Sequence, residues 1–289
     1  RHFLHCHFYI IMMKLILVLL VFSVSAATAQ ELYVYTEPAS NMAAKSFGFR
    51  LTNYLMDEQN SNKINYKMVP EVMWGASKRI MVHVAAILGN SNRDDGFVSD
   101  PKQNFVAEGG SFYLKYRFYS TDEVQTHFRV AAFGKYSINN SHIHEYAINL
   151  GSNNSGYEGG LIATKLMKKV ALSASGSFLH AQDNGIEKFL FGNKSRNAVD
   201  YTLSVGKLML PKDYTGYKQT NLNLMLEMLG QTNLNKGYSY LDIAPSIQFI
   251  FLSRMRFDAG YRYPLVTKLP RTSTKGFLLR LEYNIFNAY

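Results

Sequence analysis

Four cations offer the most chemistry in this chain: Lys115, Arg117, Arg129 and Lys135. A period-two reading puts them on one face of two successive extended segments, with no acidic partner among them. Such a cluster makes a basic wall, which acts by field and favours anionic solutes. The same reading puts Arg50, Asp258, Arg262, Arg280 and Glu282 on that face of other segments, together with Lys67, Glu71, His83, His127, Asp200, Glu227, Asp242 and Arg256. The outcome is either a charged pore or a paired network that fills an interior, since unpaired buried charges are costly. His142 and His144, followed by Glu145, could share a face and hold a transition metal, but their spacing brings no third ligand. Gly159-Gly160 lacks the strand-to-helix context of a phosphate cradle and reads instead as a bend or close backbone approach. Methionines such as Met225 and Met228 read as packing rather than as copper ligands. No cofactor or metal is expected.

The elements that position these side chains are strands. In residues 275–289, Phe277, Leu279, Leu281, Tyr283, Ile285 and Tyr289 recur at every second position, broken by Asn287. Arg280, Glu282 and Asn284 point the other way, so the two faces of this strand meet different solvents. The same alternation recurs at about 45–55, 63–74, 80–89, 108–119, 127–138, 157–167, 170–180, 198–210, 220–231, 239–251 and 255–264. That predicts twelve strands, each long enough for a transmembrane strand. In 108–119, for example, Phe112, Leu114, Tyr116 and Phe118 oppose Tyr113, Lys115 and Arg117.

A soluble sandwich or a lipocalin-like barrel could also alternate. The connections discriminate, because turns at 75–79, 120–126, 168–169, 211–219 and 252–254 alternate with longer polar loops at 90–107, 139–156 and 181–197. That sorting belongs to outer-membrane barrels. Aromatic content of 14% with only 18% charged residues suits a surface facing lipid and its interface. The expected fold is therefore an all-β, antiparallel, up-and-down transmembrane barrel of about twelve strands.

The chain has 289 residues. Residues 1–12 read as translation from upstream of a start at Met13. Residues 13–29 read as a cleavable signal peptide, with Lys14, an apolar run over 15–24 too short to span a bilayer, and Ala27-Thr28-Ala29 before Gln30. The lone Cys6 falls in the part expected to be lost, which suits an exported protein without disulfides. The formal charge of +10 falls to +8 without Arg1 and Lys14, and no nucleic-acid motif accompanies it. Residues 30–44 are expected either as a periplasmic tail or as a plug folded into the lumen, and residues 45–289 as the barrel, both termini periplasmic.

The run Tyr35-Thr36-Glu37-Pro38-Ala39-Ser40-Asn41-Met42-Ala43-Ala44-Lys45-Ser46 resembles the opening of barrels known mainly from Bacteroidetes genomes. These sit close to the putative transporters grouped with the phenol-degradation MetA pathway. The likeness extends loosely through Glu108-Gly109-Gly110 and Gly159 to Thr164, and implies transport without catalytic residues. The terminal strand, ending on an aromatic, resembles the signal read by the barrel-assembly machinery. A phospholipase family of twelve-stranded barrels pairs a catalytic His with a Ser two residues on. Here Ala85, Arg129, His144, Tyr146 and Gln182 stand at that position, so an enzyme is not expected. These features imply an outer-membrane channel for small, anionic solutes, with outer-membrane lipid, the barrel-assembly machinery and solute as partners and no nucleic acid. The alternative is a non-conducting barrel acting through its external loops, by adhesion or partner docking. Nothing in the sequence indicates an oligomeric state.

Overall fold

The computed structural model describes residues 33–58, 64–90, 105–123, 126–141, 146–185, 189, 195–213, 218–235 and 237–289. The expected leader at 13–29, the upstream residues and the His142–His144 pair lie outside them. Twelve antiparallel strands form a closed barrel. They are β1 (Ser46–Glu58), β2 (Ile64–Gly75), β3 (Ile80–Gly89), β4 (Val106–Glu123), β5 (Thr126–Asn139), β6 (Ser155–Met167), β7 (Val170–Gln182), β8 (Asn197–Leu210), β9 (Asn221–Asn233), β10 (Ser239–Phe251), β11 (Met255–Thr267) and β12 (Ser273–Ile285). Each strand pairs with its sequence neighbours, and β1 closes on β12 over Phe47–Glu58. Closure removes the sheet edge, which a bilayer core does not tolerate.

The strand expected at 80–89 matches β3 to the residue. The turn expected at 120–126 is a correction. Asp122 and Glu123 pair with His127 and Thr126, so β4 and β5 extend almost to the bend. The sorting of connections holds for the three long loops, but β1–β2, β9–β10 and β11–β12 are joined by short links on the same side.

The faces decide which solvent lies where. Lys115, Glu227, Asp242 and Asp258 are 0% exposed, while Phe112, Leu114, Tyr116 and Phe118 are exposed. Polar side chains therefore point inward and apolar ones outward, the inverse of a lipocalin and the arrangement of a membrane barrel. The start of β1 and the C-terminal residues meet where the short turns lie. Lys45 N–H donates to Gly75 O (2.8 Å), and Ala288 N–H donates to Lys45 O (2.8 Å).

No single apolar core fills the interior. Apolar clusters form where a non-strand segment meets the wall. Met42 packs with Met73 and Met81, and Ala39 with Ala131 and Ile162. Ile148 and Leu150 pack with Leu179, Ala181, Phe189 and Ala198, while Ala147 packs with Tyr240 and Leu269.

Candidate functional site

Among the described residues, two segments enter the lumen. The first is the strap, residues 33–44, which precedes β1. Its far end is gripped by Glu227 of β9. That carboxylate accepts the N–H groups of Val34, Tyr35 and Thr36 (each 2.9 Å) and the Thr36 hydroxyl (2.8 Å). Consecutive backbone N–H groups aimed at one anion form a nest, and the charge strengthens every bond. Along the strap, Ala39 N–H donates to Thr164 Oγ1 of β6 (2.9 Å), and Arg129 of β5 donates to Ser40 Oγ (2.9 Å). Lys115 of β4 donates to the carbonyls of Pro38 (2.8 Å) and Ser40 (2.9 Å). The strap thus runs from the β4–β6 wall to β9. Glycines make room for it. A Cβ on Gly260 would sit 2.7 Å from the Tyr35 ring, and one on Gly75 would sit 2.1 Å from Ala43 O.

The second insert is the part of the β5–β6 loop at residues 146–154. Gln231 of β9 holds it by a reciprocal pair, accepting from Ile148 N–H and donating to Ile148 O (both 2.8 Å). Tyr146 N–H donates to Pro270 O (3.3 Å) in the β11–β12 link. Strap and loop both line a chamber of about 390 Å³, which they share with the inward faces of the strands.

Charges around the chamber come in sets. Arg50 reaches Glu37 of the strap (2.7 Å) and Glu282 across the β1–β12 seam (2.9 Å), with Glu71 at 3.7 Å. Arg256 stands between Glu282 (3.2 Å) and Asp258 (3.0 Å), at ion-pair distance but off hydrogen-bond angle, and Arg280 lies 3.9 Å from Asp258. Arg262 (2.5 Å) and Arg271 (2.6 Å) share Asp242 and flank the Tyr240 ring. Lys67 pairs with Glu108, and His83 with Glu71. Burial of this kind is tolerable only when the charges are matched. Glu37 itself is pushed up by burial. Arg50 above all, then Lys115 and His83, outweigh that and hold its carboxyl well below the usual range.

The structure corrects the basic wall expected from sequence. Lys115 is enclosed by strap carbonyls, with Glu37 at 3.7 Å. Arg129 is forked onto Asp122 (2.7 and 3.1 Å). Lys135 stands opposite Glu158 in the β5–β6 register. Arg117, next to a bulge in β4, lies at the rim and donates to Lys78 O (2.8 Å). The acids that meet Lys115 and Arg129 come from a strap and a strand end, where a strand-by-strand reading does not look. Arg50, Asp258, Arg262, Arg280 and Glu282 do face inward, in sets that include both signs.

The expected assembly residues Phe277, Leu279, Leu281, Tyr283 and Ile285 are exposed on the outer face of β12. Tyr289 lies at the rim, where its hydroxyl accepts from Trp74 Nε1–H (3.0 Å) and its ring faces Phe47.

Sequence reasoning passed over the grip of Glu227 and the inward turn of the β5–β6 loop. Ala147, Ile148 and Leu150 were the available signal, apolar residues in a loop otherwise rich in Asn, Ser and Gly.

No family model and no curated protein matches the chain. Among solved structures it is similar to the COG4313 outer membrane channel from Pseudomonas putida F1, with a TM-score of 0.54 at 13% identity over 87% of this chain and 99% of that one. It also aligns with the KdgM porin (TM-score 0.47, 9% identity, 82% and 98% covered) and with outer membrane phospholipase A from Escherichia coli (TM-score 0.40, 9% identity, 92% and 97% covered). At these identities the first likeness establishes the fold, that of a bacterial outer-membrane barrel.

Proposed function

We propose that the protein is a channel of the bacterial outer membrane for small solutes, and that residues 33–44 are its plug. The observation that carries this reading is the chamber of about 390 Å³ inside a wall of matched charges. A barrel that served only as an anchor could fill that space with side chains. The outward apolar belt supports the location. The likeness to a Pseudomonas channel supports transport, as does the resemblance of the strap sequence to barrels that sit close to the MetA-pathway transporters. A preference for anions is not part of the proposal, because Glu37 lies 3.7 Å from Lys115 and Asp122 pairs with Arg129. The external-loop alternative also loses ground, since the described part of the 139–156 loop turns into the barrel.

The test is single-channel recording of the refolded mature chain in a planar bilayer, in symmetrical salt and then in a salt gradient. We expect sparse openings and a reversal potential near zero. A silent bilayer from protein of confirmed folding, both intact and lacking residues 33–44, would overturn the channel.

A further inference from the structure

The chamber carries more recognition chemistry than simple passage requires. On one wall His83, Tyr113 and Phe133 form a ladder of rings across β3, β4 and β5, with centroids 4.9 and 5.5 Å apart. Tyr35 of the strap and Tyr240 of β10 also line the space. Around the chamber lie buried polar atoms with no hydrogen-bond partner among the described residues: His83 Nε2, the hydroxyls of Tyr113 and Tyr35, Asn65 Oδ1 and Ser273 Oγ. All five residues line the chamber, and His83 is only 4% exposed. A buried polar group left unpaired costs about 1–3 kcal/mol, so the set asks for an occupant that hydrogen-bonds to it.

The chemistry of that occupant follows from three features. The charges lining the chamber are of both signs, among them Arg50, Arg262 and Arg280 and Glu37, Glu71 and Asp200, so the wall selects neither a cation nor an anion. The unpartnered atoms are mixed in role. His83 meets Glu71 through Nδ1 and keeps Nε2 for a second hydrogen bond. Asn65 Oδ1 only accepts, whereas the Tyr and Ser hydroxyls do both. Groups of mixed role are answered best by hydroxyls, each of which donates and accepts. The aromatic faces in turn ask for an apolar C–H surface. The volume is that of a small-ligand pocket.

We propose that the chamber between strap and loop is a binding site for a small, uncharged, polyhydroxylated solute, of the size of one or two sugar rings. The proposal deepens the channel reading and rests on it for the route by which such a solute arrives.

The test is equilibrium binding, not conduction. Folded full-length protein in a sugar-free detergent would be titrated with glucose and maltose, read by saturation-transfer NMR. Glucuronate and glucosamine serve as the charged counterparts. We expect saturable binding of a neutral sugar, weakened about tenfold by Tyr113→Ala and less by Tyr113→Phe, which keeps the ring. Tyr136→Phe, on the lipid-facing side of the neighbouring strand, should change nothing. Absence of saturable binding to the wild type would overturn the proposal. So would equal or tighter binding of either charged sugar, or affinity unmoved in a folded Tyr113→Ala protein. A protein that binds but never conducts would sink the channel and leave the site standing. One that conducts but never binds would do the reverse.

Discussion

The two segments inside the barrel are held by different physics. The strap is fastened by ionised groups of the wall: Glu227 on three backbone N–H groups, Arg50 on Glu37, and Lys115 on two carbonyls. The loop at 146–154 is fastened by neutral amide bonds to Gln231 and by the packing of Ile148 and Leu150. Charge-assisted bonds are strong while the ionised partner keeps its charge and weaken when it is lost. Apolar packing responds to side-chain volume instead. The strap is therefore the insert that solution conditions can move, and the loop is the insert that they leave in place.

The sharpest way to break this contrast is Glu227→Ala. It strands three buried N–H groups at one stroke, and its cost to the docked strap should be about 3 kcal/mol, roughly a 100-fold shift toward undocking. Openings in a planar bilayer should lengthen accordingly, and a cysteine at position 40 should become reactive to a soluble thiol reagent. Glu227→Gln keeps an acceptor and should fall between. If Glu227→Ala left both readouts unchanged, the strap would not depend on this grip.

Next in size is the response to acid. Glu37 faces Arg50, Lys115, His83, Tyr113 and the like charge of Glu71. Its carboxyl is held well below the usual range when docked, despite burial that pushes it up. A group with a depressed docked pKa contributes fully above its free value, and the contribution fades as pH falls through the docked one. The hold that Glu37 contributes should accordingly persist at neutral and mildly acid pH, and fade only below the ordinary carboxylate range. Glu37→Gln should remove that part of the acid dependence, which open probability against pH would show. The loop-fastening residues do not titrate, so cysteine labelling at position 148 should stay flat over the same range.

How much of this was legible follows from how local each signal is. Twelve strands and their faces were readable because alternation such as Phe112-Tyr113-Leu114-Lys115-Tyr116 repeats every two residues within one segment. The seam pair Arg50–Glu282 was readable in kind, since both residues lie on the polar face of the end strands. The neutralisation of Lys115 was not, because Glu37 lies 78 positions away on a segment with no periodicity. Nor was the contact between Ile148 and Gln231, which depends on a loop crossing the mouth. Pattern reports which face a residue takes; it does not report which far segment answers it.

A smaller effect tests the loop side of the contrast. Gln231→Leu removes both bonds to Ile148 but keeps the apolar cluster, so the loop should loosen by about 1–2 kcal/mol. Labelling at position 148 should rise while labelling at position 40 does not. A rise at both positions would mean that strap and loop move as one unit, and the division between them would fail.

The smallest effect lies outside the lumen. Tyr289→Ala deletes an exposed hydrogen bond from Trp74, a ring contact with Phe47 and a contact 5.9 Å from Lys45 Nζ. Each is weak at an exposed rim, and together they should lower barrel stability by about 1 kcal/mol or less. Strap and loop labelling should not move. Urea unfolding in liposomes measures the equilibrium term, and the rate of folding into the same liposomes measures assembly without machinery. A large loss of folded protein in cells alongside a small change in both in vitro numbers would locate the role of Tyr289 in recognition by the assembly apparatus. A large equilibrium loss would instead mean that the β1–β12 seam depends on this one residue, and that the fastenings of strap and loop act inside a barrel far weaker than its closed hydrogen-bond ladder implies.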